Sequence, residues 1–216
     1  MIIDHNYTEY LKIRRKSGEN KYNGAYYYSK EIVNNIIPYI KTDRNWITVN
    51  TLGYGLDHSI VFIHNNKNPD RYNWLSKYKD LILVCSVKDT MWKVAHLGTP
   101  VYLPLSVDVE YVKKYRKAKK TKDIAFAGRL IKMKYGDLPD NIDILSGMSR
   151  GKLLNEMSKY KKVYAVGRVA IEAKILGCEV LAYDYRYPNT EEWSIYDNKN
   201  ACKKLQKLID KIDKGV

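Results

Sequence analysis

The stretch DIAFAGRLIKMKYG, Asp123 to Gly136, decides the reading of this chain. It opens with the apolar run Ile124 to Ala127, short and continuous as a strand buried on both faces must be. It breaks at Gly128 and then presents Arg129, Lys132 and Lys134. Open α/β sheets hold their ligands beyond the carboxyl ends of the strands, so cations at that point suggest an anion. Gly128 lets the backbone pass close to a ligand. Arg129 offers a planar fork for phosphate oxygens, and Lys134 adds a mobile point charge.

The same rhythm extends on both sides. Upstream, NWITVNT, HSIVFIHNN, DLILVCS and TPVYLPL read as strands. Between and before them, GAYYYSKEIVNNIIPYI, PDRYNWLSKY and VKDTMWKVAHLG read as helices, with Pro38 disturbing the end of the first and Gly98 stopping the last. Downstream, KKVYAVG and CEVLAYD read as strands, and SRGKLLNEMSKY and RVAIEAKILG as helices. NACKKLQKLIDKIDKG is an amphipathic closing helix with Leu205, Leu208, Ile209 and Ile212 inward. Strands alternating with helices imply α/β architecture with parallel sheets. The run KKYRKAKKTK, Lys113 to Lys122, reads as a solvated linker. The expected organisation is therefore two small Rossmann-like domains, residues 1–108 and 109–216, facing a cleft, with one continuous sheet as the competing layout.

Composition limits the classes of function. The 216 residues carry 38 Lys and Arg against 24 Asp and Glu, a net charge of +14, which favours anionic partners without choosing among them. The three cysteines, Cys85, Cys178 and Cys202, are odd in number and match no metal spacing. Cys85 and Cys178 sit in apolar segments and read as buried thiols, which suggests a reducing compartment, and no apolar run has the length of a membrane span. A cytoplasmic protein without metal or other cofactor is expected. Among other candidates, no G-x-x-x-x-G-K-[ST] loop, no G-x-S-x-G elbow and no G-x-G-x-x-G opening a helix occurs.

Strand ends supply the candidate site. Gly167 and Arg168 stand where KKVYAVG meets the next helix, whose free N–H groups favour an anion. Glu172 lies one turn inside, where a carboxylate either orients guanidinium groups or accepts bonds from sugar hydroxyls; its bland alternative is to complement the helix dipole. His64 ends the strand HSIVFIH. It either handles a substrate hydroxyl or proton, or is bonded to neighbouring backbone.

These pieces resemble the GT-B glycosyltransferases, in particular the large retaining group that uses nucleotide-diphosphate sugars. The resemblance rests on FIHNN, on YKDLILVCS, on LGTPVYLPLSVDVEYV with Ser106 where the family has Gly, on FAGRLIKMKYG, and on EAKILGCEVLAYD. It spans about Gly24 to Asp184 as ordered short motifs. It implies that Arg129 and Lys134 neutralise the donor diphosphate, that Gly128, Gly167 and Arg168 line it, that Glu172 binds the ribose, and that His64 touches sugar or acceptor. The nucleotide sugar would be the donor substrate. The positive charge suggests a polyanionic acceptor, either DNA with hydroxymethylated bases or an anionic envelope polymer or lipid carrier. Two lean domains leave little core, which favours a homodimer.

Three departures from the family matter. Tyr164 stands where the family carries a second glutamate, the chain is short, and a strand–helix unit is expected to be missing between Gly136 and Ser149. They support a second reading: a reduced GT-B-like module that binds nucleotide or nucleic acid without turnover.

Overall fold

The computed structural model describes residues 24–48, 55–63, 69–185 and 193–215. The protein is α/β, and its described residues form two four-stranded sheets, parallel throughout. The chain divides into two compact units, one formed by residues 25–104 with 199–216 and the other by 105–198.

In the first unit the sheet runs β1 (Asn45–Ile47), β2 (Ser59–Ile63), β3 (Leu81–Cys85), β4 (Thr99–Tyr102), in that spatial order. Strands β2 and β3 are buried at every position, which is why they read as unbroken apolar runs. Alternate residues serve the two faces. Ile47, Val61, Ile63, Leu81, Leu83 and Cys85 share a core with Tyr72 and Leu75 of a 3-10 helix, Pro69–Lys77, and with Val94 of α2 (Lys88–Val94). On alternate positions, Trp46 stacks on Phe62 at 6.3 Å, and Phe62 meets Tyr28 of α1 (Gly24–Asn35) edge-on at 6.4 Å. Burial pushes the Cys85 thiol up to about 12, as for an inert core thiol.

The last helix joins this first unit, whereas the sequence groups it with residues 109–216. Helix α6 (Asn198–Asp213) buries Leu205 and Ile209. Gln206 bonds both backbone groups of Lys41, at 2.7 and 2.9 Å. Asp213 accepts from the buried Arg44 at 2.6 and 2.8 Å. Amphipathicity told that this helix packs; it did not tell on what.

The second unit begins with α3 (Val109–Lys113), whose start is capped by Asp108 accepting from the Tyr111 N–H at 2.9 Å. Its sheet is β6 (Asp143–Leu145), β5 (Lys122–Ala127), β7 (Tyr160–Tyr164), β8 (Glu179–Leu181), in that spatial order. Helix α4 (Arg150–Met157) precedes β7, and α5 (Arg168–Ile175) precedes β8. Strand β6 lies where the sequence reading expected a missing strand unit. Three residues after a Pro-containing loop carry almost no local strand signal, and pairing with Ala125–Ala127 supplies it. The basic run is also more structural than a solvated linker. Lys120 Nζ donates to Ser158 O at 3.0 Å and Leu176 O at 2.6 Å, the carbonyls at the ends of α4 and α5, where a cation best serves orphan acceptors.

Among the described residues, no helix is long and apolar enough to cross a membrane. All three cysteines are buried thiols outside any disulfide.

One cluster in the first unit makes stability depend on pH. His58, before β2, is bonded through Nδ1 to Asp80 and through Nε2 to Asp43 at 3.1 Å. Both His58 and Asp80 hold positive φ, 54° and 53°, a backbone cost that their side-chain bond helps to offset. The Asp80 and Asp43 hydrogen bonds raise the His58 pKa above 6.5, and His58 lowers both carboxyls below 3.8. The His58 contribution is thus full below pH 6.5 and lost as pH rises through its folded value; the carboxylate contributions are lost as pH falls. Melting temperature followed from pH 6 to 9 should decline more steeply in the wild type than in His58→Gln. The difference should stay within about 1 kcal/mol for so exposed a pair. Parallel curves would contradict this.

Candidate functional site

In the second unit the strands β5, β6, β7 and β8 lie in the order second, first, third, fourth. The chain leaves β5 to one side for β6 and then returns to the other side for β7. A sheet wound in opposite directions from neighbouring strands opens a crevice at their carboxyl ends. That switch point lies between β5 and β7, so the residues following Ala127 and Tyr164 line it. They include Gly128 and Arg129 on one lip and Gly167 and Arg168 on the other. The described strands of the first unit follow one another in order and show no such reversal.

The first lip is held by packing. Gly128 donates to Leu145 O at 3.3 Å. Arg129 is exposed and opens a 3-10 helix, Leu130–Tyr135, on which Lys134 is also exposed. That segment ends at Gly136, where an added Cβ would lie 1.6 Å from the carbonyl oxygen of Tyr183. Only glycine permits that backbone approach. Tyr183 in turn meets Phe126 of β5 edge-on at 5.1 Å. The cation-bearing segment is therefore pinned at its far end to the chain just after β8.

The second lip is a helix start. Gly167 has φ +64° and ψ −139°, a combination open to glycine and strained for other residues. Its carbonyl accepts from the N–H groups of Ala170 and Ile171 at 3.0 and 3.3 Å. No side chain caps this end of α5 among the described residues. Arg168 is buried, and so is Glu172, with no exposed surface.

Glu172 is the anchor of a charge cluster. Its Oε1 accepts from Arg150 Nε at 3.1 Å and lies 3.1 Å from Arg150 Nη2 and 3.6 Å from Arg168 Nη2. Its Oε2 is buried and meets no hydrogen-bond donor among the described residues. The Arg150 guanidinium also stacks on the Tyr111 ring, 5.0 Å from its centroid. Tyr111 bonds Tyr115 through the two hydroxyls at 3.2 Å, and this bond, with burial, raises its pKa. A local cap feeds a distant contact: Asp108 caps α3 and bonds the Tyr111 N–H, and Tyr111 carries the guanidinium that Glu172 grips.

Of the two roles that the residue pattern left open for Glu172, the geometry displays the orienting one. The guanidiniums concerned are Arg168 and Arg150, not Arg129. Arg150 escaped the sequence reading; its one signal was an arginine directly after the cap position Ser149. Tyr164 is half-buried and packs with Phe126, Ile142 and Tyr183. His64 lies outside the described residues, as does the side chain of Lys132. Among the described residues no group of three or more His, Cys, Asp or Glu side chains could hold a metal ion.

No protein-family model matches this chain, and no curated protein matches it in sequence.

Removing one partner from a buried ion cluster leaves charge without compensation. Glu172→Ala should therefore lose roughly 3–5 kcal/mol in chemical denaturation, while Arg129→Ala, at an exposed site, should stay within about 0.5 kcal/mol of wild type. Equal stability of wild type and Glu172→Ala would show that the cluster is not formed.

Proposed function

We propose that the second unit binds a nucleotide-diphosphate sugar at the carboxyl ends of β5 and β7, and that the protein is a glycosyltransferase of GT-B type. The observation that supports this reading is the strand reversal at that point, combined with the cations that emerge there. The diphosphate is taken by the N–H groups that open α5 and by Arg168, fixed in direction by Glu172. Arg129 and Lys134, on their pinned segment, close on it from the exposed side. As the bond from sugar carbon to phosphate oxygen breaks, negative charge grows on the departing diphosphate. Cations already in position stabilise that charge more than they stabilise the intact donor, which is what accelerates the step. The first unit is assigned the acceptor. The net charge of +14 suits a polyanionic acceptor, modified DNA or an envelope polymer.

A second reading, binding without turnover, draws on one observation. Glu172 Oε1 is committed to arginines, and Tyr164 packs among apolar neighbours where the family pattern carries a carboxylate.

A thermal-shift panel with UDP, GDP, ADP, CDP and their sugar conjugates, paired with a sugar-transfer assay, separates the readings. At a hundredfold excess over Kd, one nucleotide family should raise the melting temperature by roughly 5–10 °C. Arg129→Ala should shrink that shift and lower kcat/KM by roughly a hundredfold. A shift without turnover on any donor and acceptor pair establishes the binding module. No shift with any nucleotide overturns the transferase reading and leaves the second only in its nucleic-acid form, which a DNA-binding titration then decides.

A further inference from the structure

A second pair of cations stands in the first unit, at the carboxyl edge of its own sheet. Tyr102 is the last residue of β4, beside β3. The Lys204 ammonium, from α6, lies 4.8 Å from the centroid of the Tyr102 ring, and the Lys88 ammonium, from the first residue of α2, lies 5.6 Å from it. Both are within the range at which a ring face attracts a cation. Among the described residues no carboxylate pairs with either lysine. The nearest acid in sequence, Asp89, is committed to Lys93, one turn further along the helix. Burial, and then the neighbouring Lys88 charge, push the Lys204 ammonium below its ordinary pKa. Two like charges gathered at one ring, unpaired, at the edge where parallel sheets hold ligands, form an arrangement that an anion would complete.

We infer that Lys88 and Lys204, gathered on Tyr102, form a binding site for a phosphoryl group on the first unit. Two ammonium groups match a doubly charged phosphate better than a single carboxylate, and lysine holds phosphate as a point charge without demanding a planar fork. The site goes beyond nucleotide binding by the second unit and does not depend on it. Where that binding holds as well, this pair would receive a phosphate of the acceptor.

The test is carbon-13 NMR of the full chain after reductive methylation, which labels lysines and keeps their charge. The Lys88 and Lys204 signals are assigned by their loss in Lys88→Arg and Lys204→Arg. Inorganic phosphate is then added, with sodium chloride at matched ionic strength as the control. Both signals should move saturably with phosphate and not with chloride. Lys93 and Lys113, each paired with a carboxylate, should respond alike to the two salts. Lys88→Gln should weaken the phosphate response at Lys204 about tenfold, the worth of roughly one charged contact. If the two signals follow ionic strength alone, or if Lys88→Gln leaves the Lys204 response unchanged, the site does not exist. Because the readout is confined to these two resonances, a failure of nucleotide binding leaves the expected result intact.

Discussion

A carboxylate with no exposed surface sets the terms for the second unit. Glu172 is taken out of water together with Arg168 and most of Arg150. Burying such charges costs several kcal/mol apiece before any attraction is counted. An apolar trio of the same volume would pack as well or better. The cluster therefore contributes direction rather than net stability: it fixes a guanidinium at the residue where α5 begins. Asp108, through Tyr111, steadies Arg150 from the other side. A site for a highly charged ligand needs cations that do not reorganise when the ligand arrives, and a buried acid behind them is one way to secure that.

The two units are alike in their described sheets and differ in the order of the strands. Both are parallel, with four described strands. The described strands of the first are wound in one direction, and two lysines, Lys88 and Lys204, gather on the Tyr102 ring at the edge of β4. The second reverses between β5 and β7, and Gly128, Arg129, Gly167 and Arg168 follow the strands on either side of that reversal. Fold alone does not give chemistry. The place proposed for a ligand in the second unit therefore rests on the winding, and its sign of charge on the side chains at that point.

Much of this was legible in the sequence because strands buried on both faces show themselves as unbroken apolar runs. LILVC, SIVFI and IAFA needed no tertiary knowledge. Gly167 and Arg168 were legible because a glycine between a strand and a helix marks the strand end. What escaped depends on partners distant in sequence. Strand β6 is three residues of ordinary composition and exists through its pairing with β5. Arg150 has no local mark of function, since its partner Glu172 is 22 residues away. Lys120 looked like one lysine among many, although it satisfies carbonyls 38 and 56 residues downstream. The closing helix was legible as a helix and illegible in its place, because an apolar face does not state which surface will cover it.

The central claim is that the carboxyl ends of β5 and β7 hold a nucleotide diphosphate. Hydrogen–deuterium exchange, with and without the nucleotide that binds, tests it most directly. Slowed exchange is expected at the amides from Gly128 to Leu130 and from Arg168 to Ala170, with β1 to β4 unchanged. Protection confined to the first unit, or absent from both segments of the second, would contradict it.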